Sequence, residues 1–289
     1  MYSRLIERAE AVLEALPYLL KFNGKTIVIK YGGAAMQNDE LKRSVLQDVV
    51  LLKAVGMNPI LVHGGGPEIN KELRKKNVEP KFIGGYRVTD KETMKVVVKV
   101  LGEKINQEIV TLIKKAGGKA KGFYGKKGNV IKAFKYWKKD AEGNKIDLGF
   151  TGQVGGVRYL YLNKWMKLGY IPVLSSIGVG KNGELYNINA DKAAAAIAAY
   201  LKAEKLMLLT DVLGVLDKEG KLVSEVNAYK ADKMIKAGSL SGGMIPKIKS
   251  GLYAIRKGVK KVHIIDGKIP HAILLELFTD HGIGTMVVK

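Results

Sequence analysis

Short apolar runs alternate with longer amphipathic stretches along nearly the whole chain, and this alternation leaves few architectures open. Residues 26–30, 59–62, 119–122, 171–175, 205–210, 262–265 and 285–288 read as strands. Between them, residues 39–55, 68–76, 91–115, 157–167, 191–203, 231–237 and 245–257 carry apolar side chains at helical spacing. Alternation of this kind folds as an α/β three-layer sandwich, a mainly parallel open sheet with helices on both faces. Residues 129–137 and 150–154, with a turn at 140–144, break the rhythm and read as an inserted β-hairpin.

Ahead of the first strand, Leu5, Ile6, Ala9, Val12, Leu13, Leu16, Leu19 and Leu20 fall on one helical stripe. Pro17 predicts that this helix ends or kinks near Ala15–Leu16. The stripe either covers the core or is offered to another subunit. A chain of 289 residues suits one large domain or two lobes. The predicted division is an N-terminal helix over 1–23 and lobes over 24–174 and 175–289. With no Cys, disulfides, zinc–thiolate sites and thiol nucleophiles are excluded. A charged start and no apolar run of about 20 residues predict a soluble, cytoplasmic protein with no membrane partner.

The formal charge of +22 invites a nucleic-acid reading, yet only seven of the 49 basic residues are Arg. The lysines are spread along the chain and mixed with acids, whereas readers of bases and phosphates lean on the Arg fork. The charge reads as a solvated basic surface that attracts small anions, and nucleic acid is not the expected partner.

In an open α/β sheet ligands bind beyond the carboxyl ends of the strands. The first strand runs into Lys30-Tyr31-Gly32-Gly33 and the second into His63-Gly64-Gly65-Gly66-Pro67. Adjacent glycines let main-chain N–H groups approach an anion, and a following helix adds its dipole. Neither turn matches G-x-G-x-x-G, and no G-x-x-x-x-G-K-[ST] occurs. His63 reads as a structural hydrogen-bonding residue. No His/Asp/Glu spacing suggests a metal cage, so any Mg²⁺ arrives with a nucleotide. Further along, Asn187-Ile188-Asn189-Ala190-Asp191 opens an Ala-rich helix. Thr210-Asp211-Val212-Leu213-Gly214-Val215 follows a strand, and the glycine turn Ser239–Pro246 is followed by Lys247.

Together these segments resemble the amino-acid kinase family, and within it the N-acetylglutamate kinases. The carrying stretches are IVIKYGGAAM (27–36), LVHGGGPEI (61–69), GGYRVTD (84–90), SSIGVG (175–180), YNINAD (186–191) and GGMIPKI (242–248). The resemblance implies the amino-acid kinase fold and ATP-dependent phosphorylation of the side-chain carboxylate of N-acetyl-L-glutamate, in arginine biosynthesis. It implies that Lys30 and Lys247 stabilise the phosphoryl group, with Asp191 orienting both. It assigns Gly65, Gly66, Arg87 and Asn187 to the acyl-amino acid. It assigns Thr210, Asp211, Gly214, Val215, Ser239, Leu240 and Ser241 to the nucleotide, with ATP and Mg²⁺ as cofactors.

The N-terminal helix resembles that of arginine-sensitive members, which implies a hexameric ring of dimers and feedback inhibition by arginine. Tyr18, Lys205, His263, Glu276 and Gly282 match the arginine-site positions, and a PII-type protein is a regulatory partner in such relatives. The chain departs from the family at Tyr124 and Lys127, where a small hydroxyl residue and an acid are common. Residues 114–145 hold eleven Lys against two acids, a solvated face or a draw for anionic substrates. The readings kept beside the leading one are a kinase for a longer acyl-amino acid such as N-acetylaminoadipate and a non-catalytic arginine-sensing relative.

Overall fold

The computed structural model describes residues 2–240, 242–280 and 282–289. Its helices are α1 (Ser3–Phe22), α2 (Asp39–Ala54), α3 (Gly66–Arg74), α4 (Lys91–Val97), α5 (Asn106–Lys115), α6 (Tyr159–Lys167), α7 (Ala190–Tyr200), α8 (Ala228–Lys236), α9 (Met244–Arg256) and α10 (Ala272–Phe278). Strands β1 (Thr26–Tyr31), β2 (Asn58–His63), β3 (Phe82–Ile83), β4 (Tyr86–Arg87), β5 (Ala120–Phe123), β6 (Ile131–Lys139) and β7 (Lys145–Val157) come from the first part of the chain. The remainder supplies β8 (Ile171–Ser175), β9 (Ile177–Val179), β10 (Leu185–Ile188), β11 (Lys205–Thr210), β12 (Glu225–Val226), β13 (Lys261–Asp266) and β14 (Thr285–Val287).

Eight strands form one sheet in the order β12-β14-β13-β11-β1-β2-β8-β5, every neighbouring pair parallel except β13 with β14, so that β14 and β12 run together against the rest. The sheet is buried on both faces, so its central strands are continuous apolar runs. Period-2 alternation divides their side chains between two cores. Ile27, Ile29, Leu61, Met207 and Leu209 join the core under α1, α2, α4, α5 and α10. Val28, Ile60, Val62, Leu206 and Leu208 join the opposite core under α6, α7, α8 and α9. The three-layer α/β architecture is therefore as expected from the alternation.

Two expectations change. Helix α1 runs unbroken through Pro17. Proline has no N–H for the Leu13 carbonyl, a loss this helix tolerates where Leu13 is 65% exposed and solvent can reach it. The hairpin, in turn, is not a free insertion. Strands β6 and β7 close with β9 and β10 into a four-stranded barrel, which joins residues 131–157 to residues 177–188. Strands β3, β4, β9, β10 and β12, of two to four residues, carry no readable period and escape the sequence pattern, whereas the equally short β5 and β14 fall within stretches read as strands.

The predicted 91–115 helix is continuous but has a wide π-helical middle, Val98–Ile105. This stretch supports the glycine turn after β2. Gly65 has φ +156°, and a Cβ there would lie 2.5 Å from Ile105 Cδ1 and 2.7 Å from Leu101 Cδ2. Only glycine lets the turn lie so close to the helix.

Candidate active site

Parity along β1 places the first functional group. Lys30 shares the face of Val28 and so points toward α7 and α9. Asp191 lies in the first turn of α7, whose N-cap Asn189 accepts the Lys192 N–H at 3.1 Å. Lys247 lies in the first turn of α9. The three side chains converge: Lys30 Nζ is 3.3 Å from Asp191 Oδ1, and Lys247 Nζ donates to Asp191 Oδ2 at 2.9 Å.

Lys30 and Asp191 are 9% and 5% exposed, so both ions are held largely out of water. Burial pulls the Lys30 ammonium below the usual lysine range, with Asp191 opposing that shift and Lys247 adding to it. For Asp191, burial favours the acid, but the charges of Lys30 and Lys247 prevail and hold its carboxyl below the usual range. One carboxylate thus keeps two like charges side by side, where a polyanion can exploit both.

Two cavities meet at this group. The smaller, about 290 Å³, is lined by Lys30, both glycine turns, Arg87, Asn187 and Asp191. Arg87 is buried, and its guanidinium stacks 4.7 Å from the Phe82 ring centroid. One terminal nitrogen donates to Asn70 Oδ1 at 2.6 Å and to the Gly66 carbonyl at 3.3 Å. The other, Nη1, is buried and has no partner among the described residues, the disposition of a fork open to a carboxylate. Desolvation lowers the Arg87 pKa to about 10. Asn187 donates to Thr89 Oγ1 at 3.3 Å, and Thr151 Oγ1 donates to the Arg87 carbonyl at 2.5 Å, fixing the floor of the cavity. Lys30, Asp191, Gly65, Gly66, Arg87 and Asn187 are thereby brought together.

The larger cavity, about 990 Å³, runs along Asp191, Gly242, Gly243, Lys247 and Tyr253. Of the segments assigned to the nucleotide, no described residue between 210 and 240 lines it. Thr210 ends β11, with its hydroxyl 3.2 Å from the exposed Asp211 carboxylate. Gly214 lies against Thr285, whose Oγ1 accepts the Val215 N–H at 2.8 Å. Val215 and Leu240 are core residues of the α7–α9 side, so any nucleotide contact of theirs is through main chain. Ser239 Oγ donates to the Met234 carbonyl at 3.3 Å. Ser241 lies outside the described residues.

The positions matched to an arginine site form a second cluster, on the opposite sheet face. His263 Nδ1 is 2.5 Å from Glu276 Oε1, and Glu276 Oε2 accepts the Ile283 N–H at 2.9 Å. Lys205 Nζ lies 5.2 Å from the Phe22 ring centroid, and burial lowers its pKa to about 8. Gly282 has φ +59° and lies beside the Glu276 carboxylate. The Tyr18 hydroxyl donates to Asp280 rather than pointing into the cluster.

His63 is structural in its contacts. Its Nδ1–H donates to the Gly64 carbonyl and its Nε2 accepts from Asn106, both at 3.0 Å, and burial lowers its pKa to about 4. Tyr124 packs on Gly102 of the π-helical stretch, and the Lys127 ammonium lies 5.3 Å from its ring centroid; neither lines either cavity. Sequence reasoning missed Asn70, which holds Arg87, and Tyr86, which lines both cavities. It also missed Lys192; Asn70 and Lys192 each directly follow a quoted motif, and Tyr86 lies within GGYRVTD.

A buried cation pair on one carboxylate, between a small cavity with a free guanidinium nitrogen and a larger one, suits phosphoryl transfer between two anions. The chain belongs to the Amino acid kinase family, whose sequence profile matches residues 25–266. It is 52% identical over 287 residues to the acetylglutamate kinase of Syntrophus aciditrophicus, covering 98% of this chain and 97% of that one. To the acetylglutamate kinase of Aquifex aeolicus it is 49% identical over 294 residues, covering 99% of each. Among solved structures, the fold is similar to N-acetylglutamate synthase from Neisseria gonorrhoeae complexed with coenzyme A and N-acetyl-glutamate. That match has a TM-score of 0.86 at 24% identity, over 97% of this chain and 63% of the synthase. Carbamate kinase from Giardia lamblia bound to AMP-PNP matches with a TM-score of 0.64 at 16% identity, over 92% of this chain and 99% of that one.

Proposed function

We propose that this chain is an acetylglutamate kinase, transferring the γ-phosphoryl group of ATP to the side-chain carboxylate of N-acetyl-L-glutamate in arginine biosynthesis. The observation that carries this reading is the Lys30–Asp191–Lys247 group between a carboxylate-reading cavity and a larger one. It is supported by kinase relatives that match nearly end to end.

The chemistry follows from the charges. The acceptor carboxylate is ionised at neutral pH, so no general base is required. Arg87 forks onto a substrate carboxylate, and Asn187 and the glycine N–H groups of residues 65–66 orient the acyl group. A side-chain carboxylate oxygen attacks the γ-phosphorus as the bond to the β-phosphate bridging oxygen breaks, giving the acyl phosphate N-acetyl-glutamyl 5-phosphate and ADP. Lys30 faces the attacking side and Lys247 the leaving side, and Asp191 keeps both ammoniums in place. Asp191 is already shared by two cations, so Mg²⁺ enters as part of the MgATP substrate, bound chiefly by its phosphates.

Regulation belongs to the same reading. The Lys205–His263–Glu276–Gly282 cluster, walled by Phe22 of α1, supports an arginine site, with Glu276 as the guanidinium partner. The α1 stripe is exposed at Leu5, Ile6, Val12, Leu13, Leu16 and Leu20, which supports a hexamer built by interlaced helices. Binding of a PII-type protein to that ring is a further part of the reading. The sheet order, with residues 205–287 on one side of β1 and residues 58–175 on the other, supports two lobes, but the barrel pairs residues 177–188 with residues 131–157, so the first lobe reaches past 174/175. No described helix is long and apolar enough to cross a membrane, in keeping with a cytoplasmic enzyme.

The test is ADP release with MgATP and N-acetylglutamate, with and without millimolar arginine. Turnover suppressed by arginine is the expected result. Turnover indifferent to arginine removes the regulatory part. Turnover only with N-acetylaminoadipate moves the substrate one methylene longer, a difference worth about 1–3 kcal/mol. No turnover with either overturns the kinase reading.

A further inference from the structure

Beside the two lysines already assigned stands a third cation. Lys192 follows Asp191 in the first turn of α7, and its side chain lines the larger cavity with Lys247 and Gly243. It is half-buried, and burial lowers its pKa. Among the described residues no carboxylate pairs with it. Its ammonium donates to the Tyr86 hydroxyl and lies 4.7 Å from the Tyr86 ring centroid and 5.2 Å from that of Tyr136. The two rings are themselves 4.6 Å apart. A phenol and two π-faces stabilise a cation, but they neutralise none of its charge.

The three residues belong to three different elements. Lys192 is on α7, Tyr86 on β4, and Tyr136 on β6 of the barrel hairpin, at the register break between Lys135 and Trp137. Tyr86 borders both cavities, so the ammonium it holds stands at their junction, one residue from the carboxylate that organises Lys30 and Lys247. A partly desolvated ammonium with no counter-charge, facing a cavity that receives a polyphosphate, has its natural partner in the incoming substrate.

We propose that Lys192 is a third phosphate-binding cation, held by Tyr86 and Tyr136 until MgATP arrives and then donating to a phosphate oxygen. The proposal rests on the kinase reading of the larger cavity. It adds a phosphate contact and a reason for the hairpin to respond to nucleotide: when Lys192 leaves the Tyr136 face, the hairpin loses one of its ties to α7.

The test compares wild type with Lys192→Met, Lys192→Gln and Lys192→Arg. It reads kcat, KM for each substrate, and the Kd of a non-hydrolysable ATP analogue by calorimetry, with circular-dichroism melts to establish folding. A charge-assisted hydrogen bond is worth roughly 1.5–3 kcal/mol, so the neutral variants are expected to weaken analogue binding and raise the KM for MgATP about tenfold or more. The KM for N-acetylglutamate should move less, and Lys192→Arg should recover most of the loss. Analogue affinity and MgATP KM unchanged in folded Met and Gln variants would overturn the proposal. So would a loss confined to N-acetylglutamate. Should wild type bind the analogue but turn over no substrate, weaker analogue binding in the variants would still uphold the phosphate contact while the kinase reading fell.

Discussion

At the scale of single residues, the site gives each charge a separable task. Replacing Lys30 or Lys247 with Met leaves Asp191 paired with the other lysine, so the fold should hold while transition-state stabilisation is lost. A fall in kcat of roughly 10²–10³ with little change in either KM is expected in steady-state kinetics, as for other preorganised charges. Turnover like wild type in either variant would remove that lysine from the reaction. His63 makes a prediction of another kind. Its pKa of about 4 in the fold lies below the 6.5 of an ordinary histidine, so the unfolded chain takes up the proton first as pH falls. The stability contributed by its neutral form is complete above about pH 6.5 and is lost as pH falls toward 4. Chemical denaturation of wild type and His63→Gln across that window should show the steeper acid loss in wild type. Equal slopes would show that His63 does not carry it.

At the scale of elements, the glycine turn after β2 and the π-helical stretch work as a unit. Gly65→Ala brings a methyl group onto Ile105 and Leu101 and asks an L-residue to hold φ +156°. Overpacking alone costs about 1–3 kcal/mol, so a lower melting temperature is expected together with weaker acyl-substrate binding as the turn shifts. A variant with unchanged melting point and KM would mean the turn relaxes freely. The long helices and the central strands of the main sheet were legible because 3.6- and 2-residue periods persist over many residues. The barrel was not: β9 and β10 are three and four residues long and gain their identity only by pairing with β6 and β7. Helix α10 was missed for a similar reason. It has seven residues and an N-cap, His271, in the left-handed region, a signal no local pattern announces.

At the scale of the whole molecule, the outcome turns on surfaces the chain leaves unpartnered. Lysines placed at Leu13 and Leu20, 65% and 70% exposed on α1, should leave the fold and basal kinetics intact. They should lower the assembly mass measured by sedimentation and weaken the arginine response. Unchanged mass would detach α1 from assembly.

The sequence by itself determined the layered α/β class and the glycine turns, written in local patterns whose physics needs only neighbouring residues: strand period and strand-end glycines. Lys30, Asp191, Lys247 and Arg87 were picked out by the resemblance of their motifs to the amino-acid kinase family. The tertiary structure alone decided that two lysines from β1 and α9 share one carboxylate of α7, and that Arg87 keeps one buried nitrogen free. It also decided that Tyr86, Tyr136 and Lys192 meet between two cavities. The two lysines and the Tyr86–Tyr136–Lys192 group join residues 50 to 217 positions apart, and only sheet order, parity and helix packing bring such residues together.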